Sequence, residues 1–237
     1  MSRPIPCRIA CLALLGAWGL YGALLAGPAA AQVAPTPAEA ARYSGLHAAA
    51  HAGDLASLQH LLAAGADLNA RDAHGRTPLH VATFARRPDA VNALARGGAA
   101  LGMLENDRYD AVTIAAVADD EATLQALLAA GASAKLTTSR YDGTALIAAA
   151  HLGHDGVVRQ LIAAGAPLDH VNNLHWTAVI EAVVLGQGGP RHVATLKALL
   201  DAGASTRLAD REGRTPLALA QARGYFEMVR LLQAAAR

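Results

Sequence analysis

Thiols are nearly absent from this sequence. Its 237 residues contain two cysteines, Cys7 and Cys11, so everything after position 11 has neither a disulfide framework nor a cysteine nucleophile. Aromatic residues are scarce at 4%, and neither sign of charge dominates, with 20 Lys and Arg against 19 Asp and Glu. Setting aside Arg3 and Arg8, which fall in a segment expected to be removed, 18 basic residues face 19 acidic ones, a net of −1. That balance argues against a nucleic-acid partner or an anionic membrane held by bulk charge. Catalytic constellations are missing too. No glycine-rich phosphate loop follows a strand, and the spaced pairs His47/His51 and His151/His154 have neither the glutamate of an H-E-x-x-H motif nor a nearby third ligand. Asp119-Asp120-Glu121 reads as a solvated turn. The expectation is a protein that is not an enzyme and carries no cofactor and no metal.

Long apolar runs are missing with one exception, Ile9 to Leu25. With Arg3 and Arg8 before it and Ala29-Ala30-Ala31 after it, residues 1–31 read as a secretory signal cleaved after Ala31. The alternative is an uncleaved inner-membrane anchor, since the run approaches the ~20 residues of a spanning helix. Gly16, Gly19, Gly22, Gly27 and Pro28 interrupt it and favour cleavage. Cys11 lies at the wrong end of the run for a lipoprotein signal. The expected location is therefore periplasmic or secreted. Gln32 to Pro37 reads as a short extended linker, because each proline turns its predecessor away from helix. The domain reading is 1–31 signal peptide, 32–43 linker and start of a first helix, and 44–237 repeat domain.

The repeats are what the chain does have. In Gly75-Arg76-Thr77-Pro78-Leu79-His80-Val81-Ala82, Thr77 is a natural helix N-cap and Pro78 suits the first helical position. The Thr77 column recurs at Ser44, Ala111, Thr144, Thr177 and Thr215, giving intervals of 33, 34, 33, 33 and 38. A closing Gly-Ala shares that period, at Gly65, Gly98, Gly131, Gly165 and Gly203. Second helices carry apolar residues three and four apart, such as Leu124, Leu127 and Leu128. No unit can bury such a stripe alone, so neighbours must stack. A period near 33 with a T-P-L-H-x-A core resembles the ankyrin-repeat family from about Ser44 to Arg237. The resemblance implies a mainly α solenoid of about six helix-turn-helix units with short connecting hairpins.

The copies are uneven. Only the units at Thr77 and Thr215 keep Thr-Pro-Leu. The third has alanine at the cap column, Ala111, and no glycine between its helices, so it should be the least regular. The fifth runs 38 residues, with five extra between its helices around Gly186 to His192. Those residues are turn chemistry, expected to lengthen a dispensable loop at the end away from the hairpins. The last unit has alanine, Ala236, in its closing glycine slot.

His47 and His80 occupy the histidine slot, where a structural hydrogen bond is expected. Between units the chain must make projecting hairpins carrying varied residues, including Asp72, Arg76, Asn172 and Asp210. The resemblance implies that a protein partner docks on these tips and on the exposed side of the first helices. Phe84, Tyr109, Tyr141 and Trp176 account for four of the seven aromatics left after signal removal, and aromatics with arginine are what hot spots favour. The candidate partner-binding residues are Arg76, Phe84, Tyr109, Tyr141, His151 and Trp176. The function expected is an exported, non-enzymatic, monomeric scaffold for protein–protein interaction, with no nucleic acid and no membrane once the signal is gone. The alternative is a metal-handling or enzyme-like role for surface histidines such as His51 and His151.

Overall fold

The computed structural model describes residues 32–235, so the signal segment, its cleavage site and Ala236 lie outside the described residues. Among those residues a four-residue helix α1 (Pro37–Ala40) precedes six helix pairs. They are α2 (Gly45–Ala52) with α3 (Leu55–Ala63), α4 (Pro78–Phe84) with α5 (Pro88–Arg96), and α6 (Ala111–Val117) with α7 (Glu121–Ala129). Then follow α8 (Ala145–Leu152) with α9 (Asp155–Ala163), α10 (Ala178–Val184) with α11 (Pro190–Asp201), and α12 (Pro216–Ala222) with α13 (Phe226–Ala235). Two short strands, β1 (Thr137–Thr138) and β2 (Gly143–Thr144), pair antiparallel between the third and fourth units, Thr137 opposite Thr144.

The Thr column caps the first helices. Thr144, Thr177 and Thr215 accept from the backbone N–H three residues on at 3.2–3.3 Å. Thr77 does so to His80, whose ring in turn accepts from the Thr77 N–H at 3.1 Å, a reciprocal box that satisfies two orphan donors. Ser44 makes no such side-chain bond. The third unit corrects the expectation of irregularity. Asp110 caps α6 from the residue before Ala111, accepting from Thr113 N–H at 2.8 Å, and α6 and α7 are as long as α4 and α5. Asp119 and Arg86 take the left-handed turn between helices, both at φ 53°, that Gly53 and Gly153 take elsewhere at φ 71°. At the end of the expected linker Pro37 opens α1, and Thr36 closes a capping box with Glu39.

The apolar stripes meet in one stacked core. Leu58, Leu94, Leu124, Leu127, Leu161, Leu196 and Leu199 are wholly buried along the second helices. Each stabilises the array by about 1.5–3 kcal/mol relative to an exposed leucine. The units are also stitched where their paired helices turn. Arg87 donates to His51 O at 3.4 Å, and the His154 and His192 rings bond Ala116 O and His151 O at 2.9 and 3.0 Å. Tyr225 OH donates to Gly186 O at 3.1 Å. Arg87, His154 and His192, at the start of α5, α9 and α11, thus cover carbonyls near the end of a neighbouring unit's first helix.

The fifth-unit insertion, expected to be a dispensable loop, makes contacts along this seam. Part of it becomes helix, since α11 is 12 residues long where α3, α5, α7 and α9 are 9. Tyr225 lies against Gly188. Arg191 reaches past the fourth unit to Asp119 at 2.8 Å and also pairs with Asp155 at 3.6 Å. Deleting Gln187 to Arg191 removes these contacts and the proline that starts α11. We expect a loss of about 2 kcal/mol in urea-unfolding free energy; an unchanged melting curve would mean that the insertion is the passive loop its composition suggests.

Candidate partner-binding surface

Each hairpin is folded by a polar side chain turned inward. Asp72 Oδ1 accepts from His74 and Arg76 N–H at 2.8 and 2.9 Å, and Asp210 Oδ1 from Glu212 and Arg214 at 3.1 and 2.8 Å. Asn172 Oδ1 does the same for Leu174 and Trp176 at 3.0 and 2.9 Å. Glu105 and Ser139 hold the Tyr109 and Tyr141 N–H groups at 3.0 and 3.2 Å. Three residues after each comes a left-handed position, Gly75, Arg108, Asp142, His175 and Gly213, with φ between 51° and 73°. Asp72, Asn172 and Asp210 therefore build the tips from within and do not offer themselves to solvent.

Neighbouring tips then bond edge to edge. Asn106 N–H donates to His74 O, Ser139 N–H to Arg108 O and Asn173 N–H to Tyr141 O, at 2.8–3.0 Å. Arg71 reaches Leu104 O at 2.6 Å, and Arg211 reaches Asn173 O. The histidine slot behaves as expected, His47 bonding Arg76 O and His80 bonding Met103 O, both at 3.0 Å. Burial pushes the His80 imidazole down to about 4, so it is neutral at pH 7, accepting from Thr77 on Nδ1 and donating through Nε2.

The candidate residues separate on this frame. Arg76 is a correction: it is 1% exposed, Nε donates to Asp72 Oδ2 at 2.7 Å, and its Nη atoms reach Val33 O at 3.1 Å and Glu39 at 3.3 Å. Residues 33–40 fold over it, something composition alone did not signal. The hydrogen bonds of Glu39 to Thr36, backbone first and then side chain, with Arg76 beyond them, hold its carboxyl down to about 2. Trp176 is half-buried and packs on the core, and Phe84 is half-buried at the end of α4. Tyr109 is also half-buried, and burial raises its phenol pKa. Tyr141 stands furthest out at 37% exposure, with the Arg140 guanidinium 5.9 Å from its ring centroid.

His151, on the surface of α8, lies 3.2 Å through Nδ1 from Glu181 Oε2. Glu181 is buried on α10, and its other oxygen accepts from Asn172 Nδ2 at 3.1 Å. A polar chain thus runs from the first-helix surface through Glu181 to the side chain that folds the fourth hairpin. Sequence reasoning missed Glu181, as well as Val171 and Leu174, which are 42% and 37% exposed at that hairpin. An apolar residue on each side of a turn-building Asn-Asn pair was the available signal.

Of the ten histidines, His47, His80, His154, His170 and His192 bond backbone carbonyls, and His74 and His151 face carboxylates. Among the described residues no three His, Cys, Asp or Glu side chains are grouped to hold a metal ion.

The family model for ankyrin repeats (3 copies) matches three overlapping stretches, residues 24–105, 46–137 and 112–204. The chain is an ankyrin-repeat protein. It is 34% identical over 188 residues to the ankyrin repeat protein YahD of Escherichia coli (strain K12), covering 79% of this chain and 93% of that one. Among solved structures it is similar to an ankyrin repeat domain from Acinetobacter baumannii AYE, at 42% identity and a TM-score of 0.77, covering 81% and 97% of the two chains. It is also similar to a chain in the complex of a predatory endopeptidase from Bdellovibrio bacteriovorus with an immunity protein, at 25% identity and a TM-score of 0.63, covering 81% and 98%. Ankyrin repeats are in general protein–protein interaction modules, and the family is typically non-enzymatic. In this ankyrin-repeat protein the stacked units supply the buried core, and the tips carry residues that differ from unit to unit.

Proposed function

We propose that this ankyrin-repeat protein is exported by cleavage after Ala31 and acts as a rigid scaffold for a protein partner outside the cytoplasm. The partner docks across the hairpin tips and the adjoining first-helix surface, with Tyr141 central and Phe84, Tyr109, His151 and Trp176 around it. The observation that carries this reading is Tyr141, a large aromatic held 37% exposed on a tip fixed by its neighbours. A preorganised aromatic loses little freedom on binding. One similar structure holds an endopeptidase bound to a second protein, which makes an endopeptidase the first partner class to test here.

The test is a photo-crosslinking amino acid placed at Tyr141 and, as control, at exposed Gln125 on α7, in protein carrying its own N-terminal segment. Intact mass of the periplasmic product should begin at Gln32, and Tyr141 should give one discrete adduct where Gln125 gives none. Full-length protein in the membrane fraction would contradict export, and equal labelling from both positions would contradict docking on the tips.

A further inference from the structure

The later tips have a chemistry that narrows the partner. Tyr141, Val171 and Leu174 are exposed apolar residues on two hairpins that bond each other through Asn173 N–H and Tyr141 O at 2.9 Å. Asn173 Nδ2 adds a second bond to Arg140 O, also at 2.9 Å. An arginine stands at each side. Arg140 lies over the Tyr141 ring, and Arg211 donates from the next hairpin to Asn173 O. Among the described residues neither guanidinium has a carboxylate partner.

Four nearby carboxylates, by contrast, are engaged. Asp142 pairs with Arg108 at 3.2 Å, and Asp169 accepts from Ser205 N–H at 2.8 Å. Asp210 and Glu212 both pair with Arg214, at 2.7 and 2.9 Å. Among the described residues Asp169 meets only a backbone N–H and Asp107 on the preceding tip has no cationic partner, so the open positive charge is local to Arg140 and Arg211. An arginine fork with free N–H groups fits a carboxylate, and a cation beside an aromatic face keeps the apolar residues between two such forks.

We propose that the surface from Arg140 to Arg211 receives an acidic segment of a protein partner, its carboxylates on the two arginines and a large apolar side chain on the apolar residues between them. This deepens the scaffold reading and rests on it.

The test uses chain 32–237 and two synthetic nonapeptides, one with a central tryptophan flanked by Asp and Glu, the other with every acid replaced by Lys. In an NMR titration at low salt, the acidic peptide should shift the amides of Arg140, Tyr141, Val171, Leu174 and Arg211, and the basic peptide should not. The double variant Arg140→Gln/Arg211→Gln should bind the acidic peptide at least tenfold more weakly with an unchanged melting temperature. Equal shifts from both peptides, shifts on another face, no shifts, or wild-type affinity in the double variant would each overturn the proposal. The scaffold reading fails separately: a crosslinked partner that loses affinity for Tyr141→Ala yet binds the double variant normally leaves the scaffold standing and removes the acidic segment.

Discussion

Arg76→Ala should cost about 3 kcal/mol of unfolding free energy and release the N-terminal end of the array before the rest. Removing one partner of a buried ion pair leaves the other charge uncompensated, which is why such changes fall at roughly 3–5 kcal/mol, far above surface pairs. Asp72 keeps the Tyr43 hydroxyl at 2.8 Å and two backbone N–H groups, so the turn itself should persist. What goes is the anchor for Val33 and Glu39, and with it the cover that residues 33–40 place over the first hairpin. Because repeats stabilise mainly their neighbours, hydrogen exchange should locate the loss in the first two units and leave the last two unchanged. A loss below about 1 kcal/mol in urea would show that the buried guanidinium is not a keystone of this end.

Acidification should weaken the fold well above the carboxylate range. The folded pKa of His80, about 4, lies below the ordinary 6.5, so the unfolded chain binds the extra proton. The stabilisation is therefore complete above pH 6.5 and is lost as pH falls from 6.5 towards 4, about 3 kcal/mol in all at about 1.4 kcal/mol per pH unit. Glu39, held near 2, and Asp72, also lowered, act in the same direction but only below the ordinary carboxylate pKa. Burial raises Asp110 and gives it the opposite sign. Urea-unfolding free energies at pH 7.5 and 5.0 should differ by about 2 kcal/mol in wild type. In His80→Gln, which cannot titrate, the difference should largely vanish, and an equal pH dependence in both proteins would contradict the assignment.

The repeating frame was legible because it rests on local chemistry. Thr77, Thr144, Thr177 and Thr215 signal helix starts, and the leucine stripes signal the buried sides. The exceptions show where that reading stops. Ala111 looked like a missing cap because the column was read without its neighbour Asp110, which serves as well from one residue earlier. Asp72, Asn172 and Asp210 looked like solvent-facing tip residues because polarity does not distinguish a side chain that meets water from one that meets backbone N–H. Their constant spacing of three before Gly75, His175 and Gly213 was a usable clue to inward turns. Arg76 and the fifth-unit insertion needed long-range information, since Val33, Glu39, Asp119 and Tyr225 are distant in sequence from what they hold.

For the candidate surface, sequence placed the aromatics on hairpins and helix ends, and structure ranks them. Trp176 and Tyr109 are partly packed, so their truncation should cost both stability and binding, while Tyr141 should cost binding alone. The most direct test of docking at the tips is therefore the affinity of the crosslinked partner for Tyr141→Ala, measured beside its melting curve. The Kd should be at least thirtyfold weaker, about 2 kcal/mol, with a melting temperature equal to wild type. Wild-type affinity, or early unfolding of Tyr141→Ala, would contradict docking at the tips.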